Sequence, residues 1–153
     1  MAINLKSLSK PDGQRPIIAT LFGEGGMGKT SLAAMFPKPV FIRTEDGTAS
    51  LVGNNDVSLF PLATSSQDVL DAIEALATEK HDHKTLVIDS ITQLATQIES
   101  EIVESDSKAK SISQAGGGYG AGYGQASERH AQIREWAGSL AYEMNMNVVF
   151  IGH

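Results

Sequence analysis

Two rhythms of apolar and polar positions alternate along the chain, and the switches between them mark out its elements. Ile17-Ile18-Ala19-Thr20-Leu21-Phe22 is a near-continuous apolar run, the pattern of a buried strand. Residues 29–36 read as a helix ended by Pro37 and Pro39, because a proline lacks the N–H that a helix needs. Val40-Phe41-Ile42-Arg43 predicts a second strand, followed by the polar turn Thr44-Glu45-Asp46-Gly47. Residues 56–60 predict a weaker third strand, closed by Pro61. Ser65 or Ser66 can cap the next helix, in which Val69, Ile73 and Leu76 share one face. Leu86-Val87-Ile88 predicts a fourth strand that delivers Asp89 at its carboxyl end, and Ile91, Leu94, Ile98 and Ile102 mark the helix after it. Ala126, His130, Ile133, Ala137, Leu140 and Met144 keep a helical period, and 148–151 read as the last strand. Trp136, Met144 and Met146 are expected to be packing residues.

Strands that are apolar on both faces and alternate with helices predict an α/β fold: a mainly parallel sheet between two helical layers. Residues 1–15 read as a polar lead-in, with Pro11, Gly13 and Pro16 as breaks, and 16–153 as one core. Residues 104–125 are rich in Ser, Lys and Gly and run through Gly116-Gly117-Gly118-Tyr119-Gly120-Ala121-Gly122-Tyr123-Gly124. So little apolar surface cannot offset the entropy of ordering, so a mobile loop is expected over 104–125. A chain that stops in an apolar strand is expected to be the front part of a longer one, or a shortened form.

Composition narrows the function. The 153 residues, 41% hydrophobic and 20% charged, suit one globular domain. Twelve Lys and Arg against eighteen Asp and Glu leave a net charge of −6, so nucleic acid must be met by a local patch, a partner subunit or a further part of the protein. The lack of cysteine excludes disulfides, thiolate metal sites and a cysteine nucleophile. No apolar run is long enough to span a bilayer, and the start Met1-Ala2-Ile3-Asn4-Leu5-Lys6 lacks the apolar stretch of a secretory signal, so the cytoplasm, off the membrane, is the expected location.

The turn after the first strand carries the clearest chemistry. Gly23-Glu24-Gly25-Gly26-Met27-Gly28-Lys29-Thr30 fits G-x-x-x-x-G-K-[ST], set between a predicted strand and a predicted helix that continues with Ser31. Glycines let backbone N–H groups curl around phosphate oxygens, and the helix N-terminus adds partial positive charge. Lys29 can reach β- and γ-phosphates and the Thr30 hydroxyl can ligate Mg²⁺, which makes ATP and Mg²⁺ the expected ligands. Asp89, at the end of an apolar strand, is where such a protein needs its metal-holding acid, although Asp is also a good helix cap. Glu45, at the same carboxyl edge, is the candidate to orient the attacking water, with Asp46 the alternative and a pair of solvated turn acids the plainer reading.

Taken together, these residues resemble the core of RecA-like P-loop ATPases. Phe41-Ile42-Arg43-Thr44-Glu45 looks like that family's strand with the water-activating glutamate, Leu86 to Ser90 like its magnesium-aspartate strand, and Phe150-Ile151-Gly152-His153 like the strand whose terminal Gln or His senses the γ-phosphate. The resemblance implies a three-layer αβα P-loop NTPase core that hydrolyses ATP, with Lys29, Glu45 and His153 catalytic and Thr30 and Asp89 on the metal. The short front end and the Gly-Tyr-Gly stretch look most like phage-encoded RecA-like ATPases of single-strand annealing and recombination. That likeness implies single-stranded DNA as partner, assembly into a ring or filament, contact with a single-strand-binding protein, and the host cytoplasm as location.

In that setting Lys108 and Lys110 could meet phosphates and Tyr119 and Tyr123 could stack on bases, against the plain alternative of a glycine linker beside the acids Glu101, Glu104 and Asp106. The polar loop that follows the sensor strand in that family lies outside the chain. Two other readings stay open. One is a partition-type ATPase, from Gly25-Gly26-Met27-Gly28-Lys29-Thr30, although that group has a lysine where this chain has Glu24. The other is a nucleotide-switched partner-binding module with little turnover. A small-molecule kinase would need 104–125 as its lid. Arg129 or Arg134 could act in a neighbouring subunit's site, though a solvated helix face explains both, and His81 with His83 makes a weak metal pair.

Overall fold

The computed structural model describes residues 3–11, 13 and 15–153; Met1, Ala2, Asp12 and Gln14 of the lead-in lie outside the described residues. Five strands form one parallel sheet: β1 (Ile18–Phe22), β2 (Pro39–Arg43), β3 (Ser58–Leu59), β4 (Thr85–Asp89) and β5 (Asn147–Gly152). The spatial order is β1-β5-β4-β2-β3, so the last strand in sequence inserts between the first and the fourth. The helices are α1 (Lys29–Ala33), α2 (Ser66–Thr78), α3 (Ile91–Ser105) and α4 (Ala121–Met144).

The period of two along each strand splits the core into two layers. Val40 and Ile42, Leu86 and Ile88, and Val148 face α2, α3 and α4, where they meet Leu70, Ile73, Leu94, Ile98, Ile133 and Leu140. Phe41, Val87, Val149 and Ile151 face the other way, onto Ala33 and Ala34 at the end of α1 and onto Leu51. The expected three-layer α/β arrangement is therefore present. One outer layer is thin, made of α1 and a 3₁₀ turn at Thr48–Leu51.

Several boundaries differ from the expected ones, each for a local reason. Helix α1 stops at Ala33 rather than residue 36, because the residue before a proline is driven out of the helical region and the chain tightens into turns ahead of Pro37. Strand β3 is two residues long, since only Val40 and Phe41 of β2 face it, in keeping with the short edges that limit sheet-to-sheet pairing. Ser65 rather than Ser66 caps α2, in a capping box with Asp68. Ser66 is instead buried, and Glu101 of α3 accepts from its N–H and hydroxyl.

The same Ser66 hydroxyl accepts from Arg129 Nε at 2.8 Å, and the guanidinium also donates to Gln67 and Gln132. Arg129 thus ties α4 to α2, whose Ser66 is bonded in turn to Glu101 of α3, so its guanidinium is engaged within its own chain and not simply solvated. Trp136 is more exposed than expected of a packing residue, because the buried stripe of α4 runs through Ile133, Ala137 and Leu140 and leaves it at the edge. Met146 is buried, as expected.

The segment expected as a loop over 104–125 is shorter than that. Helix α3 runs through Ser105 and α4 opens at Ala121, leaving turns over 106–120. Asp106 holds them: its carboxylate accepts from the N–H groups of Lys108 and Gly116. Gly122, inside α4, lies against the Ile112 carbonyl so closely that a Cβ there would overlap it, so glycine content here serves helix packing as well as turning. No helix among the described residues is long and apolar enough to cross a membrane.

Candidate functional site

The carboxyl ends of β1, β2, β4 and β5 converge on one edge of the sheet, and residues 23–31, Glu45, Asp89 and His153 lie there. The loop after β1 curls over the start of α1. Gly26 and Gly28 take positive φ (80° and 85°), which only glycine adopts cheaply, and Gly28 stands at the N-cap of α1. Lys29 folds back so that its ammonium donates to the carbonyl oxygens of Gly23 and Glu24, 2.7 Å away in the second case. A cleft of about 280 Å³ opens beside it, lined by residues 26–31, Gly47, Ser50 and His153. Gly23, Glu24 and Gly25 form the opening of the loop, and Met27 is exposed at its crest.

The acid side of the site is built by the sheet. Thr30 Oγ1 donates to Asp89 Oδ2 at 2.7 Å, although the two are separated by 59 positions in the chain. Asp89 is buried and its carboxyl is pushed above the ordinary range, first by loss of water and then by the nearby charge of Glu45, with the Thr30 hydrogen bond opposing. Glu45 is held below its ordinary value, first by a hydrogen bond from the Ser90 side chain and then by His153. His153 Nε2 lies 2.9 Å from Glu45 Oε1. Glu45, Asp89 and His153 each bring a ligand atom within 4.8 Å of the others. Asp46 points elsewhere, toward Arg43, and is exposed, so Glu45 is the acid that the fold turns inward.

Three residues not singled out in the sequence hold these groups in place. Thr44, buried at the end of β2, accepts from Ser90 N–H at 2.9 Å and donates to the Ser90 carbonyl at 2.7 Å, which locks the ends of β2 and β4 together. Thr92 accepts from the backbone N–H of His153 at 2.9 Å and so fixes the end of β5. Gly152 lies under the Phe22 ring, where a Cβ would overlap it. The signal that could have found Thr44 was a small hydroxyl residue directly after an apolar strand.

The site has the donor chemistry for a divalent cation with a phosphate ligand. Thr30 and Asp89 offer adjacent oxygens, which suit a hard cation such as Mg²⁺, and the raised carboxyl of Asp89 is the state that a neighbouring cation would relieve. Burial also predicts a stability effect. A carboxyl with a raised folded value keeps its proton to higher pH when folded than when unfolded, so stability falls as pH rises through that window and stays lower above it. Asp89→Asn is therefore expected to raise resistance to urea near neutral pH, without nucleotide, by about 1 kcal/mol. A loss of stability instead would show that the Thr30 bond to a charged oxygen outweighs burial.

The remaining candidates lie apart from this cluster. Lys108 and Lys110 are exposed on the 106–120 turns, Tyr119 stands fully exposed at positive φ (56°), and Tyr123 is half-exposed on the first turn of α4. Arg134 is exposed on α4. His81 Nε2 is engaged with the Leu76 carbonyl at 2.8 Å and its Nδ1 accepts from the backbone N–H of His83, so both ring nitrogens of His81 are taken up just after α2.

Searched against curated proteins, the chain finds no match. A family described as an AAA domain matches residues 15–153, which takes in the phosphate loop, all five strands and the Glu45–Asp89–His153 cluster. A glycine loop on a helix N-terminus, a strand-end acid hydrogen-bonded to its threonine, and a match over nearly the whole length lead to one conclusion: the chain belongs to the AAA domain family of P-loop ATPases.

Proposed function

We propose that the chain binds ATP with Mg²⁺ and hydrolyses its β–γ phosphoanhydride bond, and that this turnover is coupled to single-stranded DNA in annealing or recombination, as in a phage RecA-like ATPase. The observation that carries the enzymatic part is the meeting of Thr30 with Asp89 and of Glu45 with His153 at one sheet edge, beside a cleft lined by the phosphate loop.

In this reading the backbone N–H groups of 23–30 cradle the β- and γ-phosphates, and Lys29 exchanges its loop carbonyls for phosphate oxygens, where its charge meets the charge that builds in the transition state. Ser31 extends the cradle on the first turn of α1. Thr30 and Asp89 hold the cation, which supplies neutralising charge to the phosphate oxygens. Glu45 accepts a proton from the attacking water as the water oxygen bonds to the γ-phosphorus and the bond to the β–γ bridging oxygen breaks. The products are ADP and inorganic phosphate. His153 couples this base to the γ-phosphate, since it reaches both Glu45 and the cleft.

The DNA part is supported by Lys108, Lys110 and Tyr119 standing exposed on the 106–120 turns and Tyr123 on the first turn of α4. Stacking predicts that Tyr119→Ala and Tyr123→Ala each weaken binding of a labelled DNA strand by about 1–3 kcal/mol. Lys108→Ala should shallow the salt dependence by roughly 0.7 in log–log slope. Mg²⁺-dependent ATP turnover measured with and without single-stranded DNA is the first assay: stimulation supports the coupling, and turnover indifferent to DNA, with unchanged binding in both tyrosine variants, overturns it. The reading as a switch with little turnover draws on the engagement of Glu45 by both Ser90 and His153.

A further inference from the structure

The strand ends bring together a second set of donors, different in kind from the oxygens that suit Mg²⁺. Glu45, Asp89 and His153 come from the ends of β2, β4 and β5, and each offers one ligand atom within 4.8 Å of the others. His153 Nε2 already stands 2.9 Å from Glu45 Oε1. Donors around a tetrahedral ion with bonds of about 2.0–2.2 Å lie roughly 3.3–3.6 Å apart, so small side-chain rotations seat one ion among the three. Each donor is also held by a residue outside the set. Thr30 Oγ1 donates to Asp89 Oδ2 at 2.7 Å, the Ser90 side chain donates to Glu45, and Thr92 accepts from the backbone N–H of His153 at 2.9 Å. Contacts of this sort orient metal ligands.

Charge points the same way. Two carboxylates and a neutral imidazole balance one divalent ion. None of the salt bridges among the described residues joins Glu45 or Asp89 to a lysine or arginine, and Lys29 is turned onto the carbonyls of Gly23 and Glu24. The nitrogen decides which ion fits. Mg²⁺ takes oxygen ligands in near-ideal octahedral geometry. Imidazole with carboxylates suits Zn²⁺, and three protein ligands with a fourth position open is a common arrangement of accessible zinc.

We propose that Glu45, Asp89 and His153 form a site for a transition-metal ion such as Zn²⁺, and that filling it silences ATP turnover. The ion sits between His153 Nε2 and Glu45 Oε1 in place of their hydrogen bond. Nε2 then coordinates through its lone pair, with the ring proton on Nδ1, and the coordinated Glu45 carboxylate no longer takes a proton from water. The site asks nothing of the proposed hydrolysis; the silencing rests on it.

Co²⁺ is the probe, because a four-coordinate Co²⁺ absorbs visibly where Zn²⁺ is silent. The full chain without nucleotide is titrated with Co²⁺ alone. A ligand-field band should appear, saturate at a single equivalent, persist in excess Mg²⁺ and vanish when Zn²⁺ is added. His153→Ala and Glu45→Gln should each weaken Co²⁺ binding by more than the 10- to 100-fold typical of losing an outer contact to a ligand. Circular dichroism melts check that both variants fold. A wild-type chain that binds no Co²⁺, a band lost to excess Mg²⁺, or binding unchanged in either folded variant would overturn the site.

Zn²⁺ held in a metal-ion buffer at a level that fills the site should then lower phosphate release from Mg²⁺–ATP by about 10²-fold or more, as loss of a general base does, and a chelator should restore it. A site that fills while turnover continues overturns the silencing. A chain that shows the Co²⁺ band but no turnover before Zn²⁺ is added counts against the proposed hydrolysis, and the silencing with it, while supporting the metal site.

Discussion

Lys29→Ala is expected to abolish useful ATP binding and with it all measurable turnover. Lys29 is the only lysine or arginine among the described residues that line the cleft, and in this structure its ammonium is turned onto the loop's own carbonyls at the mouth of the phosphate cradle. Charge-assisted hydrogen bonds to phosphate are about twice as strong as neutral ones, and removing one donor aimed at developing charge typically costs 10²- to 10³-fold in rate. The backbone cradle of 23–28 survives the change, so the fold should be intact. The measurement is a titration of nucleotide fluorescence or heat alongside steady-state phosphate release. Unchanged ATP affinity in Lys29→Ala would overturn the assignment of the loop.

Glu45→Gln is expected to separate binding from chemistry. Glutamine keeps the shape of the side chain and can still meet Ser90 and His153, but it cannot take a proton from water. Loss of a positioned general base costs about 10²- to 10⁴-fold in turnover, while nucleotide affinity should stay near that of the wild type. Single-turnover phosphate release with affinity measured in parallel reads both. Turnover near the wild-type rate would remove Glu45 from the chemistry and favour a nucleotide switch. Loss of both binding and turnover would mean that Glu45 holds the architecture of the site instead, through the Ser90 and His153 contacts.

These two variants rest on residues of different legibility. Lys29 was plain in the sequence, because a phosphate loop is local: eight consecutive residues and the elements on either side carry the whole signal. Glu45 and Asp89 were readable as acids at strand ends, but nothing in the chain distinguishes a turn acid that faces the cleft from one that faces water. Asp46, its neighbour, does face water. Only family resemblance points to His153, and its contact with Glu45, 108 positions away in the chain, has no local signature.

Glycine content misled in one place. The run from 116 to 124 reads as flexible, yet its second half begins α4, because Gly122 serves the approach of a neighbouring turn. Arg129 likewise reads as a solvated cation or a finger, and becomes a tie between α4 and α2 once Ser66 and Gln67 are brought beside it.

The sequence alone determined the α/β class, the order of the elements, the phosphate loop and the apolar faces, since each depends on periodicity or on spacing within a few residues. Tertiary structure decided what those elements meet. Inserting β5 between β1 and β4 puts His153 between the loop that holds Lys29 and the strand that ends in Asp89. The Thr44–Ser90 lock then brings Glu45 to the same place. Strand order is set by how the two apolar faces of the whole sheet are best covered, and no short window of sequence contains that.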